Sequence, residues 1–131
     1  INTAGWKLWG NYTAAYPEKT AMNVKFWCIR RFFSWMGNNF ITNNLAKLDG
    51  VANKKLIEQI CDEENIKCNG YVASGVCAAA SIEFLEEDNT EETLQAGILI
   101  FREKVGVFGP AQQIINNLEY DAEAVRSALT A

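Results

Sequence analysis

The chain has 131 residues, 49% apolar and 21% charged, which suits one globular domain over residues 1–131 and excludes a disordered chain. No apolar run approaches the roughly 18 residues of a membrane span, and a net charge of −4 argues against general nucleic-acid binding. Four cysteines and no histidine exclude a mixed Cys/His metal site and remove the commonest general base.

Residues 4–16 place Trp6, Trp9, Tyr12 and Tyr16 at steps of three, three and four. That spacing predicts one helical stripe, weakened by Gly5 and Gly10 and stopped by Pro17. Met22, Phe26, Ile29, Phe33 and Met36 repeat the pattern. They predict a nearly buried central helix with Thr20 as cap and Gly37 as stop. Leu45 and Leu48 belong to a short turn ending near Gly50, and Leu56, Ile57 and Ile60 define a helix to about Cys61. The polar run from Asp62 to Gly70 reads as a connection.

Tyr71 to Leu85 reads as a helix with small residues along one side. Asp88 or Asn89 caps a further helix, with Glu91 and Glu92 in its first turn and Leu94, Ile98, Phe101 and Val105 on its apolar stripe. Gly97 and the β-branched Ile98 and Ile100 leave a strand as the alternative there. Pro110 opens a helix carrying Ile114, Ile115 and Leu118, and Asp121 caps a last short helix with Val125, Ala128 and Leu129. The expected fold is all-α, a compact single domain of six or seven short helices.

Charge and aromatic content are both polarised. Residues 1–60 carry eight basic and three acidic side chains, and residues 61–131 carry four and thirteen. A basic face and an acidic face follow, which either attract each other across the fold or meet a partner. Ten of the fifteen aromatic residues lie in the first forty positions, more than a small helical core usually needs.

An even cysteine count within one 50-residue stretch reads as two disulfides in an exported domain, secreted or periplasmic. Cys61 and Cys68 flank a short loop, so that staple is sterically easy and leaves Cys28 with Cys77. The crossed pairings, 28–61 with 68–77 or 28–68 with 61–77, stay open. The spacings fit no common zinc pattern, so no metal is expected. Asn11-Tyr12-Thr13 is an N-glycosylation sequon, in keeping with export.

Little supports catalysis. The acidic runs Asp62–Glu64 and Glu86–Glu92 lack the alternation and central glycine of an EF-hand loop and read as solvated helix junctions. Glu83 falls on the apolar side of its predicted helix, where a carboxyl pairs with an arginine more often than it acts as a general acid. Ser34, Ser74, Ser81 and Ser127 have no histidine to activate them. Lys25, Arg30 and Arg31 sit among Phe26, Trp27, Phe32 and Phe33, but those aromatics are spaced as a core stripe.

Cys68-Asn69-Gly70-Tyr71-Val72, followed by Gly75-Val76, resembles the Cys-x-Gly-Tyr-aliphatic signature of small periplasmic immunity proteins. Asn53, Leu56, Ile57 and Cys61 loosely continue the match; the second glycine is displaced by one position. The resemblance implies a helical, disulfide-stapled protein that neutralises an amidase toxin delivered by type VI secretion.

The residues lead to a non-enzymatic binding protein without a cofactor. Its expected ligand is an apolar small molecule or lipid enclosed in an aromatic-rich helical core, held by Trp9, Tyr12, Tyr16, Phe26, Arg31 and Tyr71. The alternative is a protein–protein inhibitor of the immunity type, using its charged faces and aromatic N-terminal region.

Overall fold

Two glycines set where helix gives way to strand. A helix closes cleanly when the residue after its cap takes a left-handed conformation, which glycine does without a Cβ clash. Gly75 (φ 79°) and Gly97 (φ 75°) both do so. At the first, Gly75 N–H bonds Val72 C=O (3.1 Å) and Val76 N–H reaches back to Tyr71 C=O (3.2 Å). At the second, Gly97 bonds Leu94 (3.0 Å) and Ile98 reaches Thr93 (2.9 Å). Both are Schellman closures, and a strand follows each of them.

The computed structural model describes residues 5, 6 and 10–131. Along the described residues run α1 (Met22–Lys25), α2 (Trp27–Asn44), a 3₁₀ turn (Leu45–Lys47), α3 (Lys54–Ala73), β1 (Cys77–Glu83), α4 (Glu91–Gln95), β2 (Arg102–Val107) and α5 (Ala122–Thr130). The fold is α+β, with a two-stranded antiparallel sheet packed on α3. This overturns the all-α expectation, because the Schellman stops cut two predicted helices short. The segment predicted as helix over 71–85 is the end of α3, a turn and β1. The segment predicted as helix through Val105 is the short α4, a loop and β2. Alanine favours helix, but Ala79 and Ala80 are held in ladder with Gly106 and Val105, and pairing overrides propensity.

Three other boundaries differ. Residues 10–16 are turn and bridge, not helix: Trp27 N–H bonds Asn11 C=O (2.8 Å) and Thr13 N–H bonds Lys25 C=O (2.9 Å), so Tyr12 pairs with Phe26. The same bridge holds Phe26 extended and splits α1 from α2. Thr20 is not the cap, since Ala21 occupies that position. α2 runs on through Gly37, where a helix interior tolerates glycine at about 1 kcal/mol. α3 continues through the predicted connection at 62–70, capped by Asn53, whose side chain accepts from Leu56 N–H (2.9 Å).

The inner face of the sheet presents Cys77, Ala80 and Ile82 from β1 and Glu103, Val105 and Val107 from β2. Against it α3 lays Ile60, Glu64 and Cys68, one turn apart. Asn65 locks this packing: its amide donates to Ile82 C=O (3.3 Å) and accepts from Ile82 N–H (3.1 Å). From α2, Ile29 and Met36 are buried with Phe26. Residues 108–121 have no regular structure, so the helix predicted after Pro110 is absent; Asp121 does cap α5, accepting from Ala124 N–H (3.0 Å). No helix among the described residues is long and apolar enough to cross a membrane.

An added Cβ at Gly75 meets nothing within 4 Å, so Gly75→Ala tests backbone conformation alone. It should lower stability by about 1 kcal/mol, read as a lower urea midpoint at unchanged slope. Gly75→Asn should lose less, because asparagine tolerates the left-handed region.

Candidate functional site

The residues predicted to form one aromatic site fall into separate places. Tyr12 and Tyr16 stack at 4.2 Å with rings 8° from parallel, and Phe26 lies 5.8 Å from Tyr12. Lys25 Nζ sits over all three rings at 5.0–5.5 Å. Arg31 lies elsewhere, exposed on α2 with its guanidinium 5.4 Å over the Trp27 ring. Tyr71, half-buried near the end of α3, meets Phe32 (5.7 Å) and Trp35 (5.6 Å) edge-on and so joins α3 to α2. Trp9 lies outside the described residues. The aromatic stripe is spent on packing between elements, not on one enclosed cavity.

The two predicted disulfides are not formed: Cys28 is exposed, Cys61 partly exposed, and Cys68 and Cys77 buried, all as free thiols. The easiest staple fails for a geometric reason. Cys61 and Cys68 both lie on α3, seven residues apart, which is about 10.5 Å along a helix. A disulfide needs Cα atoms within about 7 Å.

The buried thiol belongs to a polar cluster between α3 and the sheet. Cys68 is 0% exposed and Glu64 2%. Cys68 Sγ donates to Glu103 Oε1 (3.5 Å), and Glu64 is ion-paired with Lys67 (3.1 Å) one turn on. Burial, the hydrogen bond to Glu103 and the nearby carboxylates push the Cys68 thiol up to about 12. It stays protonated at neutral pH and is no nucleophile. Burial, and then the Glu64 carboxylate, raise Glu103 above the ordinary carboxyl range. Cys61 and Cys77 are raised as well, by burial first.

Glu103 has a consequence for stability. Its raised folded pKa means the native state holds a proton more readily than the unfolded chain. Its contribution is therefore fully present below the unfolded value and is lost as pH rises through the folded one. Glu103→Gln should stabilise the protein at neutral pH by a few tenths of a kcal/mol, roughly 0.5 at most, because the carboxylate is only partly buried and solvent screens it. Urea midpoints of the two proteins should converge as pH falls below that window.

A different feature has the dimensions of a binding site. A groove of about 830 Å³ runs between the first half of α3 and the chain that follows β1. Ile57, Ile82, Phe84, Leu85, Leu94 and Leu99 line it, and Asn53, Lys54, Glu58, Asp62 and Glu83 form its polar margin. Lys54 pairs loosely with Glu58 across one helical turn (3.6 Å). Glu83 is exposed there, at the end of β1, and not on an apolar helix face. One wall is the 85–100 loop. It is clamped by the buried Asn89, which donates to Leu85 C=O (2.8 Å) and Ile100 C=O (2.9 Å) and accepts from Ile100 N–H (2.8 Å). Arg102 ties the acidic run to the sheet through Glu87 (2.9 Å) and Asp88. The sequence pattern puts Leu94 and Leu99 on one continuous helix, whereas Leu94 lies in the short α4 and Leu99 in the loop after it, and that break turns both into groove wall.

No protein-family model matches this chain, and no curated protein matches it either. The Cys68–Val72 segment that resembles immunity proteins forms the last turns of α3, where Cys68 is a thiol and not a staple. Among the described residues no group of three or more metal-ligating side chains converges.

Proposed function

We propose that this chain is a non-enzymatic binding protein that takes an elongated apolar molecule, of the size of a small lipid, in the groove between α3 and the 85–100 loop. The observation that carries this reading is the groove itself: about 830 Å³, lined mainly by branched and aromatic side chains with five polar or charged residues among them. Small-molecule sites have this size and makeup. The margin holds one lysine against three carboxylates, so a neutral or cationic head group is favoured over an anionic one. A non-enzymatic role is supported by the buried thiol, which keeps its proton beside Glu103. An exported setting remains part of the proposal through the sequon at Asn11 and not through disulfides.

The test is titration with an environment-sensitive apolar probe, followed by displacement with neutral, cationic and anionic amphiphiles. One probe per chain is expected, displaced best by neutral or cationic competitors. Leu94→Asp should abolish uptake while the tryptophan near-UV signal persists. Equal uptake by wild type and Leu94→Asp would place the probe elsewhere and sink the reading.

A further inference from the structure

The chain leaves a great deal of surface uncovered. A compact monomer of 14.6 kDa exposes about 6,900 Å², and this chain exposes 10534 Å², about half as much again. Permanent interfaces bury roughly 2,000–5,000 Å² in total, about 1,000–2,500 Å² from each partner, so the excess on one chain is ample for one.

Two exposed apolar surfaces are opposite in charge. The first is the C-terminal arm. Every residue of 111–131 is exposed, yet the arm carries Ile114 (89% exposed), Leu118 (91%) and Leu129 (82%). Its charges are Glu119, Asp121, Glu123 and one arginine, Arg126, already paired with Glu123 (2.6 Å). The second is the outer face of α2, where Trp27, Arg31 and Trp35 repeat every fourth residue and Trp27 is 56% exposed. Arg30 adds to it, no carboxylate occurs between residues 19 and 48, and neither Arg30 nor Arg31 has an ion pair among the described residues. Exposed tryptophan with arginine is the composition of an interface hot spot.

We infer that the two surfaces cover each other between two copies of this chain: the acidic, apolar arm of each lies on the basic, tryptophan-rich face of α2 of the other. Both surfaces are on every copy, so reciprocal docking closes a two-fold dimer with nothing left over. Residues 108–113 supply the reach, because six extended residues span about 20 Å. The groove between α3 and the 85–100 loop takes no part, so this inference stands or falls separately from the proposed ligand.

Sedimentation equilibrium of the full chain should give a dimer at micromolar concentration, weakened as salt rises. Two charge-reversed variants decide the matter. Arg30→Glu with Arg31→Glu makes the face acidic, and Glu119→Lys with Asp121→Lys makes the arm basic. Each variant alone should dimerise at least tenfold more weakly, and an equimolar mixture should recover the dimer, because each arm then meets an opposite face. Rescue in the mixture also shows that both variants are folded. A wild type that stays monomeric at 100 µM would mean that the arm folds back or serves another partner, and would overturn the inference. So would a dimer that survives in both variants alone.

Discussion

Ile82→Ala should cost about 3 kcal/mol, in the range of buried isoleucine truncations. Ile82 is one of seven buried hydrophobic residues that make up the core among the described residues. It points at α3, while its own backbone N–H and C=O are held by Asn65. The side chain therefore cannot drift to fill the space that truncation leaves, and the cavity term is felt in full. A core this small leaves little in reserve against the usual 5–15 kcal/mol of net stability, so the variant should be marginal at room temperature. Ile82→Val should cost about 1 kcal/mol. Ile66→Ala, on the exposed side of the same helix, should stay within about 0.5 kcal/mol. Equal losses at 82 and 66 would mean that α3 does not pack on the sheet by this face.

The uneven legibility of the fold has physical causes. The α2 stripe could be read because Ile29 and Met36 keep helical spacing and meet no competing signal. α5 could be read because an aspartate precedes an amphipathic run. The sequence pattern splits α3 because its buried stripe passes through Glu64, and a carboxylate between Ile60 and Cys68 looks like the edge of an element. Only the ion pair to Lys67 makes that position tolerable under the sheet. The strands were hidden for the opposite reason. Ala78, Ala79 and Ala80 carry strong helix propensity, and what holds Ala79 and Ala80 extended is a partner strand more than twenty residues away. Gly75 and Gly97 were the available clues, since each is followed by a β-branched residue, but a glycine inside an apolar period reads as a tolerated interruption.

The site was less legible than the fold. Aromatic abundance pointed to a ligand cavity, yet those rings serve as joints: Tyr71 between α3 and α2, Tyr12 between the N-terminal segment and Phe26. The groove is walled instead mostly by aliphatic residues, with Phe84, from four stretches of chain. No local pattern marks such a site, because its residues come together only when β1 and the 85–100 loop are in place. The cysteines misled for a related reason. Their even count suggested pairing, but a continuous α3 carries Cys61 and Cys68 two turns apart.

Asn89→Ala should lower stability by about 1–2 kcal/mol, the cost of losing three hydrogen bonds to partly buried backbone groups. One amide side chain satisfies Leu85 C=O, Ile100 C=O and Ile100 N–H at 2.8–2.9 Å. Alanine satisfies none of them. Asn89→Asp separates the hydrogen bonds from side-chain volume. A carboxylate can still accept from Ile100 N–H, but it faces two carbonyl oxygens where the amide donated. The aspartate variant should therefore lose about as much as alanine at neutral pH and recover part of it in mild acid, where the protonated carboxyl donates once. The same clamp holds the groove wall that contains Leu94 and Leu99. Where the variants remain folded, apolar probe affinity should fall in step with the loss of the clamp, while Ile66→Ala leaves it unchanged. A variant that loses stability but keeps full probe affinity would show that the 85–100 loop does not shape the site.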